Sequence, residues 1–174
     1  MTDISGLASS VPSRLGVMAR YHDGELVLEL APPAETRHHG IVRASVLAFM
    51  IDAVAGIPMD QDAEAWTLTS DMTVRMRPIP APARIDATTT TVRQSSRSAT
   101  SMVELVTEAG APIAVGAIGF VKVRRKETDP PKPVLPPGQA PMVLRRPGAL
   151  TRPLREEAGI EVVDAAEGVV HVEV

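Results

Sequence analysis

Between residues 44 and 59 only two side chains are polar, Ser45 and Asp52. The apolar run Val46–Leu47–Ala48–Phe49–Met50–Ile51 resumes directly after Asp52 as Ala53–Val54–Ala55. This stretch is too long for an ordinary strand and rich in Ala, Leu and Met. It predicts a helix that is hydrophobic nearly all round, with Gly56 and Pro58 as its stop signal. Such a helix must be covered on almost every side by the rest of the fold, because its apolar surface is unfavourable in water. That requirement constrains the architecture more than any other feature of the chain.

The segments available to cover it read as strands. Residues 17–21 and 26–30 flank the turn pair Asp23–Gly24, a hairpin signature. Residues 68–76 alternate, with Met72, Val74 and Met76 on one face, and residues 84–93 contain the run Thr88 to Thr91. Residues 99–108 and 113–123 flank a turn at 108–111. β-Branched residues dominate these runs, and Gly and Pro fall between them. One long buried helix with five or six antiparallel strands is an α+β plan.

Composition narrows the function. The chain has no cysteine, which excludes disulfides, thiolate nucleophiles and Cys-based metal sites. Two Phe, one Trp and one Tyr cannot form a stacking platform for single-stranded nucleic acid, and a net charge of −3 argues against binding a phosphate backbone. No basic stretch followed by an apolar run opens the sequence, and no run is long enough to span a membrane. The expectation is a cytoplasmic protein with no nucleic-acid or membrane partner.

Eight of the sixteen prolines lie between Pro130 and Pro153, where neither a central strand nor a helix interior can form. The chain is therefore expected to divide into a folded domain at 1–125, a Pro-rich linker at 126–155 and a remainder at 156–174. The remainder echoes the beginning. Leu15–Gly16–Val17 and the residues from His22 to Leu30 resemble Ala158–Gly159–Ile160 and those from Ala166 to Val174. The spacing is 143 residues at the first Gly and 144 at the second, which suggests the first hairpin of a second copy, against the alternative of two unrelated β-hairpins.

Around the apolar run the sequence Arg37–His38–His39–Gly40–Ile41–Val42–Arg43–Ala44–Ser45 leads to Asp52–Ala53–Val54–Ala55–Gly56. This resembles the acyl-CoA thioesterases of the hot-dog superfamily, of the phenylacetate-pathway kind. Their pattern is Asn-x-x-Gly-x-x-His-Gly-Gly, six further residues, then Asp-x-Ala-x-Gly. Thr69–Ser70–Asp71–Met72–Thr73–Val74, followed by Arg77–Pro78, resembles the same family's Thr-Leu-Asp-Leu-x-Val…Arg-Pro strand. The likeness spans about residues 12–124. It implies a hot-dog fold, an antiparallel sheet wrapped around one long helix, dimerising with sites at the interface.

The resemblance also implies a chemistry, thioester hydrolysis on an acyl-CoA with no cofactor. Asp52 would be general base or nucleophile, and desolvation on an apolar helix is expected to raise its pKa. The bland alternative pairs Asp52 with Arg37 or Arg43. Thr69 matches a residue that positions the water or the carboxylate, or is simply a strand Thr. The amides of Ala44 and Ser45 would form the oxyanion hole at the helix N-terminus, unless Ser45 caps the helix. Arg37, His39, Gly40, Arg43, Arg97 and Ser98 would meet the substrate, Arg97 at the coenzyme A phosphates unless it is merely solvated. The motif departs from the family pattern at Arg37, where the Asn stands, and at Arg43–Ala44–Ser45, where His-Gly-Gly stands. Those departures keep a second reading open, a non-catalytic hot-dog domain that is a structural half or an acyl-CoA-binding module. His38–His39 have no acidic partner at ligand spacing, so no metal is expected.

Overall fold

A computed structural model describes residues 14–130, 132, 150, 152–157, 159–166 and 169–173. Six strands form one antiparallel sheet: β1 (Val17–His22), β2 (Glu25–Leu30), β5 (Ala65–Met76), β6 (Ile85–Gln94), β7 (Ser98–Thr107) and β8 (Pro112–Arg124). Their order is β1-β2-β6-β7-β8-β5. Between β2 and β5 come a 3-10 turn (Ala34–Thr36), the two-residue strands β3 (Arg37–His38) and β4 (Ile41–Val42), and the long helix α1 (Ala44–Met59). Each expected strand is present, and the helix occupies the apolar run.

The sheet wraps one face around α1, which contacts β2, β5, β6, β7 and β8. Alternation along β7 shows how: Ala99, Ser101, Val103 and Leu105 are buried while Ser98, Thr100, Met102 and Glu104 are exposed. Val46, Leu47, Met50, Ile51, Val54 and Ala55 of the helix enter the core. The approach is close enough to require a glycine. A Cβ at Gly116 on β8 would meet Ile51 Cγ2 at 2.7 Å.

Two expectations about the helix change. Gly56 and Pro58 do not stop it, since α1 runs to Met59 with Pro58 in its last turn. There the lost amide donor affects only one terminal bond, and the Asp60 amide still donates to the Gly56 carbonyl at 2.9 Å. Nor does the sheet enclose every face. Ala48, Phe49, Asp52, Ala53, Gly56 and Ile57 are only half-buried, and their spacing makes one strip along the helix.

The first unit also holds residues past Arg125. Lys132 is nearly sealed, its side chain 1% exposed. It donates to Asp60 Oδ1 (2.6 Å) and to the carbonyls of Asp62 (2.8 Å) and Ala65 (2.6 Å). Leu150 and Leu154 rejoin the core as well. Leu154 opens α2 (Leu154–Glu157), which precedes a separate two-stranded sheet of β9 (Glu161–Ala166) and β10 (Val169–Glu173).

Candidate active site at the amino end of the helix

The approach to α1 is built by a minimal hairpin. β3 and β4 pair Arg37 with Val42 and His38 with Ile41. The two turn residues, His39 (φ +50°) and Gly40 (φ +76°), both adopt the left-handed conformation that such tight turns require. Gly40 of the sequence motif thus has a backbone reason to be there. The hairpin leads to Arg43, the N-cap residue, which has extended backbone and makes no side-chain cap bond. Ser45 lies inside the helix, so the expected alternative of a Ser45 cap is not what forms.

A cleft of about 420 Å³ opens at this end, lined by His38, Ile41, Val42, Arg43, Ala44 and Ser45. Uncapped, the first amides of α1 at Ala44 and Ser45 have no acceptor from the cap residue. Among the described residues Arg43 forms no ion pair, and its Nε is buried without a partner. The cleft wall carries no carboxylate. The amino end of the helix, where its dipole is positive, and Arg43 therefore border one opening, which suits an anion or a developing oxyanion.

Asp52 lies two turns further along α1. Thr69 Oγ1, at the start of the β5 bulge, donates to Asp52 Oδ1 at 2.5 Å. The expected alternative, an ion pair with Arg37 or Arg43, does not form. Arg37 spends its guanidinium on the Pro32 carbonyl, through Nε at 3.1 Å and Nη2 at 2.5 Å. Asp52 is half-buried rather than enclosed, with Thr69 exposed beside it.

Apart from Arg37, whose guanidinium is held by the Pro32 carbonyl, the sequence-predicted residues fall into three places. Arg43, Ala44 and Ser45 line the cleft, with His39 and Gly40 in the turn above it. Asp52 and Thr69 form a pair on the flank of the helix. Arg97 and Ser98 sit in the exposed β6–β7 turn, where Ser95 Oγ accepts from both of their amides (3.2 and 3.0 Å). Sequence reasoning missed His38, whose ring lies edge-on to His39 at 4.2 Å between centroids, and the apolar wall of Ile41 and Val42. Reading His39–Gly40 as a tight turn would have found them, since it makes His38 and Ile41 cross-strand partners. Among the described residues no cluster of three or more His, Asp or Glu is placed to hold a metal. No helix among them is long and apolar enough to cross a membrane.

No protein-family model matches this chain, and no curated protein matches it. Solved structures do. Thioesterase HI1161 from Haemophilus influenzae matches over 73% of this chain and 93% of its own, with a TM-score of 0.64 and 13% identity. The PaaI protein from the phenylacetic acid degradation operon of E. coli matches over 68% of this chain and 88% of its own, at 0.59 and 15%. BH2602 from Bacillus halodurans, solved with CoA, matches over 67% and 80%, at 0.60 and 17%. The architecture is the hot-dog fold. The proteins it resembles in structure include thioesterases, and one is bound to CoA.

Proposed function

We propose that this chain hydrolyses an acyl-CoA thioester as a cytoplasmic homodimer, with each site built from two copies. The observation that carries this reading is the Asp52–Thr69 pair: a carboxylate on an otherwise apolar helix, oriented by a strand hydroxyl. Asp52 and the Ala44 amide are eight residues apart on one helix, which separates them by about 12 Å along the axis. That is too far for both to act on one carbonyl, so the carboxylate of one copy needs the helix N-terminus of another. The half-buried strip of Phe49, Asp52, Ala53 and Gly56, and β5, which is the edge strand of the sheet among the described residues, are the surfaces a second copy would cover.

In this arrangement Asp52 takes a proton from water as the water oxygen bonds to the thioester carbon. The carbonyl oxygen becomes an oxyanion that accepts hydrogen bonds from the Ala44 and Ser45 amides. Collapse of the intermediate breaks the C–S bond, and the proton held by Asp52 passes to the departing sulfur, which leaves the coenzyme A thiol, the acid and an ionised Asp52. Thr69 is a positioning residue. Arg43 adds a cation beside the amides, and Arg97 and Ser98 face the phosphates of coenzyme A. The test is hydrolysis of an acyl-CoA panel by the wild type and Asp52→Asn. Removal of a general base should lower kcat by about 10²–10⁴-fold, with the melting temperature unchanged. Equal activity in the two proteins removes Asp52 from the mechanism.

One observation favours a second reading. Ala44 and Ser45, which line the cleft, each carry a Cβ at positions where the family pattern has glycines. If those atoms block approach to the amides, the domain binds coenzyme A esters without turning them over. Calorimetric binding of an acyl-CoA with no thiol release is the result expected of that reading.

A further inference from the structure

The C-terminal hairpin repeats the opening of the first unit, down to its backbone conformation. At the start of the described chain residues 14–15 are helical, Gly16 has φ +75°, and β1 and β2 follow. Near its end α2 is helical, Gly159 has φ +70°, and β9 and β10 follow. The one-residue difference in spacing, 143 before and 144 after, has a structural cause. In β1–β2 the pairing is continuous, Met18↔Glu29, Ala19↔Leu28, Arg20↔Val27. In β9–β10 it runs Glu161↔Glu173, Val162↔Val172, then His171↔Asp164, so Val163 is unpaired. Val163 is a β-bulge that absorbs one inserted residue, and it is 58% exposed.

With Val163 set aside, residues 158–174 align with 15–30 one for one. The buried positions of the first hairpin are Leu15, Val17, Ala19, Leu26, Val27, Leu28 and Leu30. Their counterparts in sequence are Ala158, Ile160, Val162, Val170, His171, Val172 and Val174, apolar at all but one. In the first unit this pattern serves a purpose: the far edge of β2 pairs with β6 through Leu28↔Ala87, Glu29↔Asp86 and Leu30↔Ile85. The register positions of Leu28 and Glu29 are held in β10 by Val172 and Glu173. Among the described residues β10 pairs only with β9, and a lone two-stranded hairpin is marginal in water.

We propose that residues 156–173 are the opening element of a second hot-dog unit, and that the outer edge of β10 is built to receive a strand equivalent to β6 of that unit. The occupant is specified by the first unit itself: an antiparallel strand in the Ile85–Ala87 register. This goes beyond the proposed hydrolysis and does not depend on it.

The test uses the full chain. Residues 25–30 are replaced by the matching Val169 to Val174 in one variant. In a second they are replaced by the same stretch moved one residue back, 168–173, which puts His171 and Glu173 at the buried positions of Leu28 and Leu30. The matched variant should unfold cooperatively, with amides of residues 85–87 protected from hydrogen exchange, and the shifted one should lose both. A matched variant no more stable than the shifted one overturns the proposal. In the otherwise unaltered chain, deletion of Val163 should preserve or strengthen amide protection across 169–173, because it restores continuous pairing. Loss of that protection overturns the alignment on which the second unit rests.

Discussion

The two ends of α1 are finished in opposite ways. At the carboxyl end the chain satisfies its own groups. The Gly56, Ile57 and Met59 carbonyls accept from the Asp60 amide, Gln61 Nε2 and Thr67 Oγ1. Lys132 then sets a cation where the helix dipole is negative. At the amino end nothing of the kind happens. No side chain caps the first turn, no acidic residue stands in it, and a cation, Arg43, sits where the dipole is positive. An end closed by its own sequence is structural, whereas an end that keeps donors and a cation unsatisfied beside a cleft is prepared for a ligand. Under the proposed function, the difference separates residues that hold the fold from residues that meet a substrate, even though both groups are polar and lie at one helix's termini.

The sharpest way to break this comparison is at the closed end. Lys132→Met removes three charge-assisted donors from a sealed position and leaves Asp60 Oδ1 with only the Thr67 amide (2.8 Å). Because Asp60 itself is partly solvated, the expected loss is about 2 kcal/mol, a melting temperature lower by roughly 8 °C. Thermal denaturation followed by circular dichroism measures it. A change within about 0.5 kcal/mol would mean that the latch does not hold the helix end.

The open end should respond with the opposite sign. Arg43→Gln relieves a cation of its unfavourable dipole, so stability should stay constant or rise by about 0.5 kcal/mol at low salt, and the gain should fade as salt screens it. Affinity for acyl-CoA should fall in the same protein. If Arg43→Gln instead costs as much as Lys132→Met, the guanidinium is part of the scaffold and the contrast between the two ends is lost.

Much of this was legible in the sequence for simple reasons. The strands declared themselves by alternation, and α1 by a run too apolar and too long to be anything else. Asp52 stood out because a lone carboxylate in such a run needs a purpose, and the motif spacing supplied Thr69 as its neighbour. What could not be read depended on groups distant in the chain. Arg37 was a reasonable partner for Asp52 until the Pro32 carbonyl turned out to claim it. Lys132 lay in a stretch whose prolines suggested a linker, and nothing local reveals that its ammonium closes the helix 72 residues away. The half-exposed strip on α1 escaped notice because its residues are as apolar as the buried ones. Only the placement of the sheet shows which side is uncovered.

The smallest expected effect lies in the outer layer of the latch, around the only tryptophan. Trp66 Nε1 donates to Asp129 Oδ2 at 3.0 Å, and Arg125 and Lys132 stand over its ring at 5.2 and 5.4 Å. The Lys126 amide donates to the same carboxylate oxygen (2.9 Å). These donors, the Lys126 amide first and the Trp66 indole second, hold the Asp129 carboxyl below the ordinary aspartate value. A carboxyl depressed in the folded state contributes stability that is fully present above its unfolded pKa. That contribution disappears as pH falls through the lower folded value. Asp129→Asn should therefore be less stable than the wild type near pH 6, and the gap should narrow progressively as pH is taken below the ordinary aspartate pKa of about 3.9. Paired urea titrations followed by Trp66 emission read both numbers. A gap that stays constant with pH would show that the carboxylate charge contributes nothing, leaving the carbonyl contacts of Lys132 to close the helix end by themselves.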